Sequence, residues 1–88
     1  MSERFEMRVL RAIQQLGGNA YGVTIKSQMG RTGREPMSYG SIYLAIDSLE
    51  QKGLIFTYEG AIANVRGGRR KRMCRLSANG ELALKETA

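Results

Sequence analysis

The stretch SYGSIYLAIDSLEQKGLIFTYEG, residues 38–60, contains a helix with both ends marked and the strand that follows it. Ser38 stands where an N-cap belongs, since its hydroxyl can accept a hydrogen bond from the second or third N–H of a helix. Behind it, Ile42, Ala45, Ile46 and Leu49 fall on one helical face. Gly53 is a C-terminal stop. The residues LIFTYEG at 54–60 are rich in β-branched and aromatic side chains and end in glycine, which predicts a strand.

Downstream, RRKRMCRLS at 69–77 reads as a second strand, with Cys74 and Leu76 on one face and Lys71, Met73 and Arg75 on the other. Gly60, Gly67 and Gly68 mark the connection, so the two strands form a hairpin. Ser77 can cap a last helix, ANGELALKETA, whose apolar residues are Leu82 and Leu84. Upstream, ERFEMRVLRAIQQL at 3–16 puts Phe5, Val9, Ile13 and Leu16 at helical spacing, with Leu10 widening the stripe. GGN at 17–19 ends that helix. In YGVTIKSQM at 21–29, Tyr21, Ile25 and Met29 recur every fourth residue, which predicts a short second helix; GRTGREPM at 30–37 reads as a loop. The order is three helices, two strands and a helix. A mainly α chain with a β-hairpin in this order is a winged helix-turn-helix, here one domain over residues 1–88.

A chain of 88 residues builds a single small core. No run approaches the roughly 20 apolar residues of a membrane span. The N-terminal MSERFEMR is charged where a signal peptide needs an apolar segment, which predicts a cytosolic protein. Cys74 is the only cysteine and there is no histidine. An internal disulfide is therefore excluded, and the commonest metal ligand and general base are missing. No P-loop or GxGxxG occurs. Neither an enzyme nor a cofactor is expected.

The net charge is +6, and its placement is informative. Arg66, Arg69, Arg70, Lys71, Arg72 and Arg75 form a run without an acid, while the other residues carry eight cations and eight anions. A single-sign patch on a balanced domain points to an anionic partner, most often nucleic acid. Arginine forks bind phosphate in two-pronged fashion and suit a narrow minor groove, so Arg66, Arg69, Arg70 and Lys71 are the wing candidates. The competing reading is a solvated hairpin kept soluble by charge.

Helix 3 is the candidate recognition helix, with Tyr39, Ser41 and Tyr43 near its exposed N-terminal end. Hydroxyls suit phosphates and base edges, and a helix N-terminus favours a phosphate. Ser38 can cap and touch phosphate at once. Gly40 permits close backbone approach, at a cost of roughly 0.5–1 kcal/mol against alanine. Tyr43 is equally readable as a half-buried core residue, and Tyr21 either meets phosphate or heads the core stripe of helix 2. Cys74 reads as a small buried hydrophobe.

Three segments in order, AYGVTIKSQM at 20–29, SYGSIYLAIDSLEQKGLI at 38–55 and GRRKRMCRLSANG at 68–80, resemble the PadR-like transcriptional regulators. The resemblance covers nearly the whole chain. It implies a dimeric winged-helix protein that binds palindromic operator DNA, usually as a repressor. By position, Tyr21 and Gly22 match the family's helix 2 pattern, Ser38, Gly40 and Tyr43 its helix 3 pattern, and Gly68, Arg69, Lys71 and Arg72 its wing strand. Met73 and Cys74 stand where the family usually has aromatic residues. Family members usually continue into a longer C-terminal helical region that dimerises and helps shape an effector site. This sequence stops at Ala88, so helix 4 is read as truncated. A small-molecule effector of that type is not expected, and dimer contacts are expected from helix 1, helix 4 or the wing. The expected function is therefore sequence-specific transcriptional regulation as a homodimeric repressor. The alternatives are a protein-interaction adaptor on the same scaffold and a sequence-indifferent nucleic-acid binder using the hairpin alone.

Overall fold

The computed structural model describes residues 4–32, 38–62 and 70–86. Helix α1 spans Phe5–Leu16, α2 Gly22–Thr32 and α3 Tyr39–Gln51; strands β1 (Ile55–Ile62) and β2 (Arg70–Leu76) follow, then α4 (Ala78–Glu86). This is the winged helix-turn-helix order expected above.

The expected caps form. The Ser41 N–H donates to Ser38 Oγ at 3.1 Å, and the Gly80 N–H donates to Ser77 Oγ at 3.1 Å. Gly17 and Gly53 take φ of +60° and +75°, a left-handed conformation that side chains with a Cβ rarely adopt. They end α1 and the turn after α3. One boundary differs from expectation. Helix α2 continues through Gly30 to Thr32, where the sequence suggested a loop from residue 30. A single glycine weakens a helix without ending it, and Arg31 sits in the last turn, where a cation suits the helix dipole.

All four helices feed one core. Val9, Leu10 and Ile13 of α1, Ile25 of α2, and Ile42, Ile46 and Leu49 of α3 are buried together with Ala20, Met29, Ala45, Ile55, Cys74 and Leu84. In α4 the buried residue is Leu84, with Ala83 packed beside it; Leu82 is 55% exposed. Positions two apart on a helix diverge by about 200°, so Leu82 and Leu84 cannot share the core face.

The strands pair antiparallel, from Ile55 opposite Leu76 to Glu59 opposite Arg72, with an irregularity between Glu59 and Ile62. Beyond the hairpin, the Cys74 N–H donates to the Ala20 carbonyl at 2.8 Å, and the Ser77 N–H to the Leu54 carbonyl at 3.0 Å. The wing is thus tied to the α1–α2 connection and to the end of α3. Cys74 and Leu76 face the core as expected. Met73, on the opposite face, is nevertheless buried, because it lies across Gly60: a Cβ at residue 60 would stand 2.5 Å from Met73 Cγ.

Burial pushes the Cys74 thiol from 9.0 to about 11, although the Arg72 charge pulls the other way. Unfolding restores the lower value, so the unfolded chain ionises first as pH rises. The contribution of this group to stability should therefore fall between about pH 9 and about pH 11. Thermal midpoints of wild type and Cys74→Ala, followed over that range, should converge as the pH rises. Parallel curves would show that burial leaves the thiol's folded value at that of the unfolded chain.

Candidate nucleic-acid interface

At about 100° per residue, α3 turns Ile42, Ala45, Ile46 and Leu49 to the core and leaves Gly40, Leu44, Asp47 and Gln51 along its outer ridge. Leu44 is 73% exposed, the most exposed large apolar side chain among the described residues. One flank of the ridge faces α2 and the wing. There Tyr39 and Tyr43 are 44% and 41% exposed. The other flank faces α1, where Ser41 lines a groove with Arg4, Phe5, Glu6, Leu44 and Ala45. Ser41 is also occupied locally, its hydroxyl 3.1 Å from that of Ser38.

The tyrosines gather the cations. Lys26 of α2 holds its Nζ 5.0 Å from the Tyr39 ring centroid. Lys71 of β2 holds its Nζ 4.7 Å from the ring of Tyr21, which precedes α2 and is half-buried. Between these pairs, Tyr43 rests on Gly22: a Cβ at residue 22 would lie 2.6 Å from Tyr43 Oη. Gly22 thus lets the Tyr43 ring lie close against the start of α2, and any larger residue there would push the ring aside. Gly40 is not constrained in this way, since a Cβ there would meet only Ser38 Oγ at 3.6 Å. Its exposed backbone is open to an approaching surface.

The wing is braced against α3 by charge. Arg72 Nη1 lies 2.7 Å from Asp47 Oδ1, and Nη2 donates to Glu50 Oε1 at 3.1 Å. Thr57 Oγ1 of β1 donates to the other Glu50 oxygen at 2.5 Å. At the far end of α3, Lys52 Nζ meets Glu6 Oε1 of α1 at 2.7 Å, and this bond holds the Glu6 carboxyl below its ordinary range.

Of the residues the sequence singled out, Tyr21, Ser38, Tyr39, Gly40, Tyr43 and Lys71 come together around the N-terminal half of α3, and Ser41 lies on its α1 side. Arg66 and Arg69 lie outside the described residues, as does the side chain of Arg70, whose backbone opens β2. Sequence reasoning missed Lys26 and Leu44. Lys26 carries no local signal, because its aromatic partner is on another helix. Leu44 did carry one: it is an apolar residue on the side of the wheel opposite the core stripe. Among the described residues no group of His, Cys, Asp and Glu side chains could hold a metal ion, and no helix is long and apolar enough to cross a membrane.

A helix pair with an exposed second helix, flanked by a basic hairpin, defines a winged helix-turn-helix protein. The sequence profile of the transcriptional regulator PadR-like family matches residues 9–86, and the chain belongs to that family. A PadR family transcription regulator from Clostridium difficile R20291 is 26% identical, with a TM-score of 0.74 over 93% of this chain and 80% of that one. A PadR-like regulator from Bacillus cereus is 23% identical, with a TM-score of 0.72 over 92% of this chain and 74% of that one. Bacillus subtilis PadR, solved in complex with operator DNA, is 19% identical, with a TM-score of 0.76 over 93% of this chain and 45% of its own. No curated protein matches the chain.

Proposed function

We propose that this chain is a homodimeric repressor that binds a palindromic operator, with α3 in the major groove and the wing on the phosphate backbone and adjacent minor groove. The observation that carries the reading is the pair of lysines from different elements, Lys26 and Lys71, each held over a tyrosine ring beside the exposed ridge of α3. Ammonium groups fixed along one flank of a helix, the flank that faces α2 and the wing, suit the phosphate strand that borders a groove on that side. Bacillus subtilis PadR, a family relative of the same fold, was solved on operator DNA, which supports the same partner here. Tyr21, Ser38, Tyr39, Gly40, Ser41 and Tyr43 are the proposed contacts around α3, and Arg66, Arg69, Arg70 and Lys71 those of the wing. Leu44 joins them: an exposed apolar side chain on a groove-reading ridge suits a thymine methyl group.

The test is selection of bound duplexes from a random library. An inverted repeat with half-sites about one helical turn apart is expected, since a two-fold dimer mirrors its symmetry in its site. Selection that enriches no sequence would overturn operator recognition and favour a sequence-indifferent binder. In the selected site, deoxyuridine in place of one thymine per half-site should weaken wild-type binding and leave Leu44→Ala unaffected.

A further inference from the structure

Arg72 belongs to the basic run, yet its guanidinium is turned away from the use that the run suggests. Both of its ends are engaged by α3, Nη1 by Asp47 and Nη2 by Glu50. Helix α3 has no cation of its own, and Asp47 and Glu50 are its only acids. Asp47 lies on the outer ridge one turn beyond Tyr43 and Leu44, with its side chain 60% exposed. An element meant for a groove lined with phosphates therefore carries two carboxylates, and strand β2 supplies the charge that answers them. Thr57 completes the arrangement by donating to the second Glu50 oxygen, so one carboxylate is held by both strands of the wing.

We propose that Arg72 is a positioning and screening residue: it neutralises Asp47 and Glu50 and sets the wing against α3, and it does not itself anchor DNA phosphate. The proposal rests on the DNA-binding reading above. Exposed ion pairs contribute little to stability, a median of about 0–1 kcal/mol. Beside a duplex the balance changes, because an unscreened carboxylate facing the phosphates opposes every approach of the helix. Loss of Arg72 should thus be felt in binding far more than in folding.

A double-mutant cycle separates screening from anchoring. The probe is a pool of random-sequence 30-bp duplexes, with fluorescence anisotropy at low and moderate salt and a thermal midpoint for every variant. Arg72→Gln alone should weaken binding about tenfold, below the cost of truncating a fully buried charge pair because this one is partly exposed. In the Asp47→Asn, Glu50→Gln background the same change should cost less than about twofold, since nothing is left to screen. Arg72→Lys, which keeps the charge but not the fork, should fall between wild type and Arg72→Gln and supplies the comparison if Arg72→Gln folds poorly. A phosphate anchor predicts otherwise: Arg72→Gln would cost the same with or without the carboxylates and would flatten the salt slope in both. That result overturns the proposal. Wild-type protein that binds no duplex would overturn the DNA reading itself, and this proposal with it.

Discussion

Gly80→Ala is expected to cost this domain about 3 kcal/mol, as overpacking against fixed backbone does. Gly80 is buried at the start of α4, where a Cβ would overlap the carbonyl oxygen of Leu54 and press on Leu76 Cδ2 at 2.9 Å. Neither neighbour is free to give way. The Leu54 carbonyl accepts the Ser77 N–H at 3.0 Å, and Leu76 packs against the core beside its pairing with Ile55. The helix would have to lift from the sheet and withdraw Leu84, which is 3% exposed. A domain of this size has a total stability of about 4–13 kcal/mol, so the loss is a large fraction of it. Gly30→Ala is the control, because nothing lies within 4 Å of a Cβ there and α2 runs through that position. It should stabilise by about 0.5–1 kcal/mol. Urea midpoints check both. Equal shifts of the two variants would show that crowding at residue 80 is relieved without cost.

Replacing Lys26 and Lys71 together by Gln should lower duplex affinity roughly 10- to 100-fold at moderate salt and flatten its salt dependence. Each phosphate contact contributes a slope of about 0.9 in log affinity against log salt, so the proposed dimer, losing four, should lose a slope of roughly 3.6. The tyrosines make the test sharper. Tyr39→Phe keeps the ring beneath Lys26 and should preserve the slope. Tyr39→Ala frees the lysine, removing a cation–π interaction that is worth about 0.5–1 kcal/mol at an exposed site, and should weaken binding. Anisotropy titrations over a salt series read these slopes directly. An unchanged slope for the double variant would show that the two ammonium groups meet no phosphate.

Much of the fold was legible because its signals are local. The spacing of Ile42, Ala45, Ile46 and Leu49, the cap at Ser38 and the stop at Gly53 each depend on residues within a few positions of one another. The same holds for the cap at Ser77 and the alternation that turns Cys74 inward. Where local signals compete, the sequence is ambiguous. Gly30 resembled a helix end, and Leu82 was as apolar as Leu84, but only the packing of α4 on α1 and the sheet chooses between the two leucines.

By itself, then, the sequence determined the order of elements, the core face of each long helix, the family, and the basic strand as the source of the excess charge. Only the tertiary structure decided which charges remain available. It took Arg72 out of the basic run by pairing it with Glu50, 22 residues away, and brought Lys26 in by setting α2 beneath Tyr39. The physical reason is that helical and strand periodicity fix which face a side chain occupies, whereas its partner is set by the register of the hairpin and the seating of one helix on another. Those depend on the whole core at once, and no short stretch of sequence contains them.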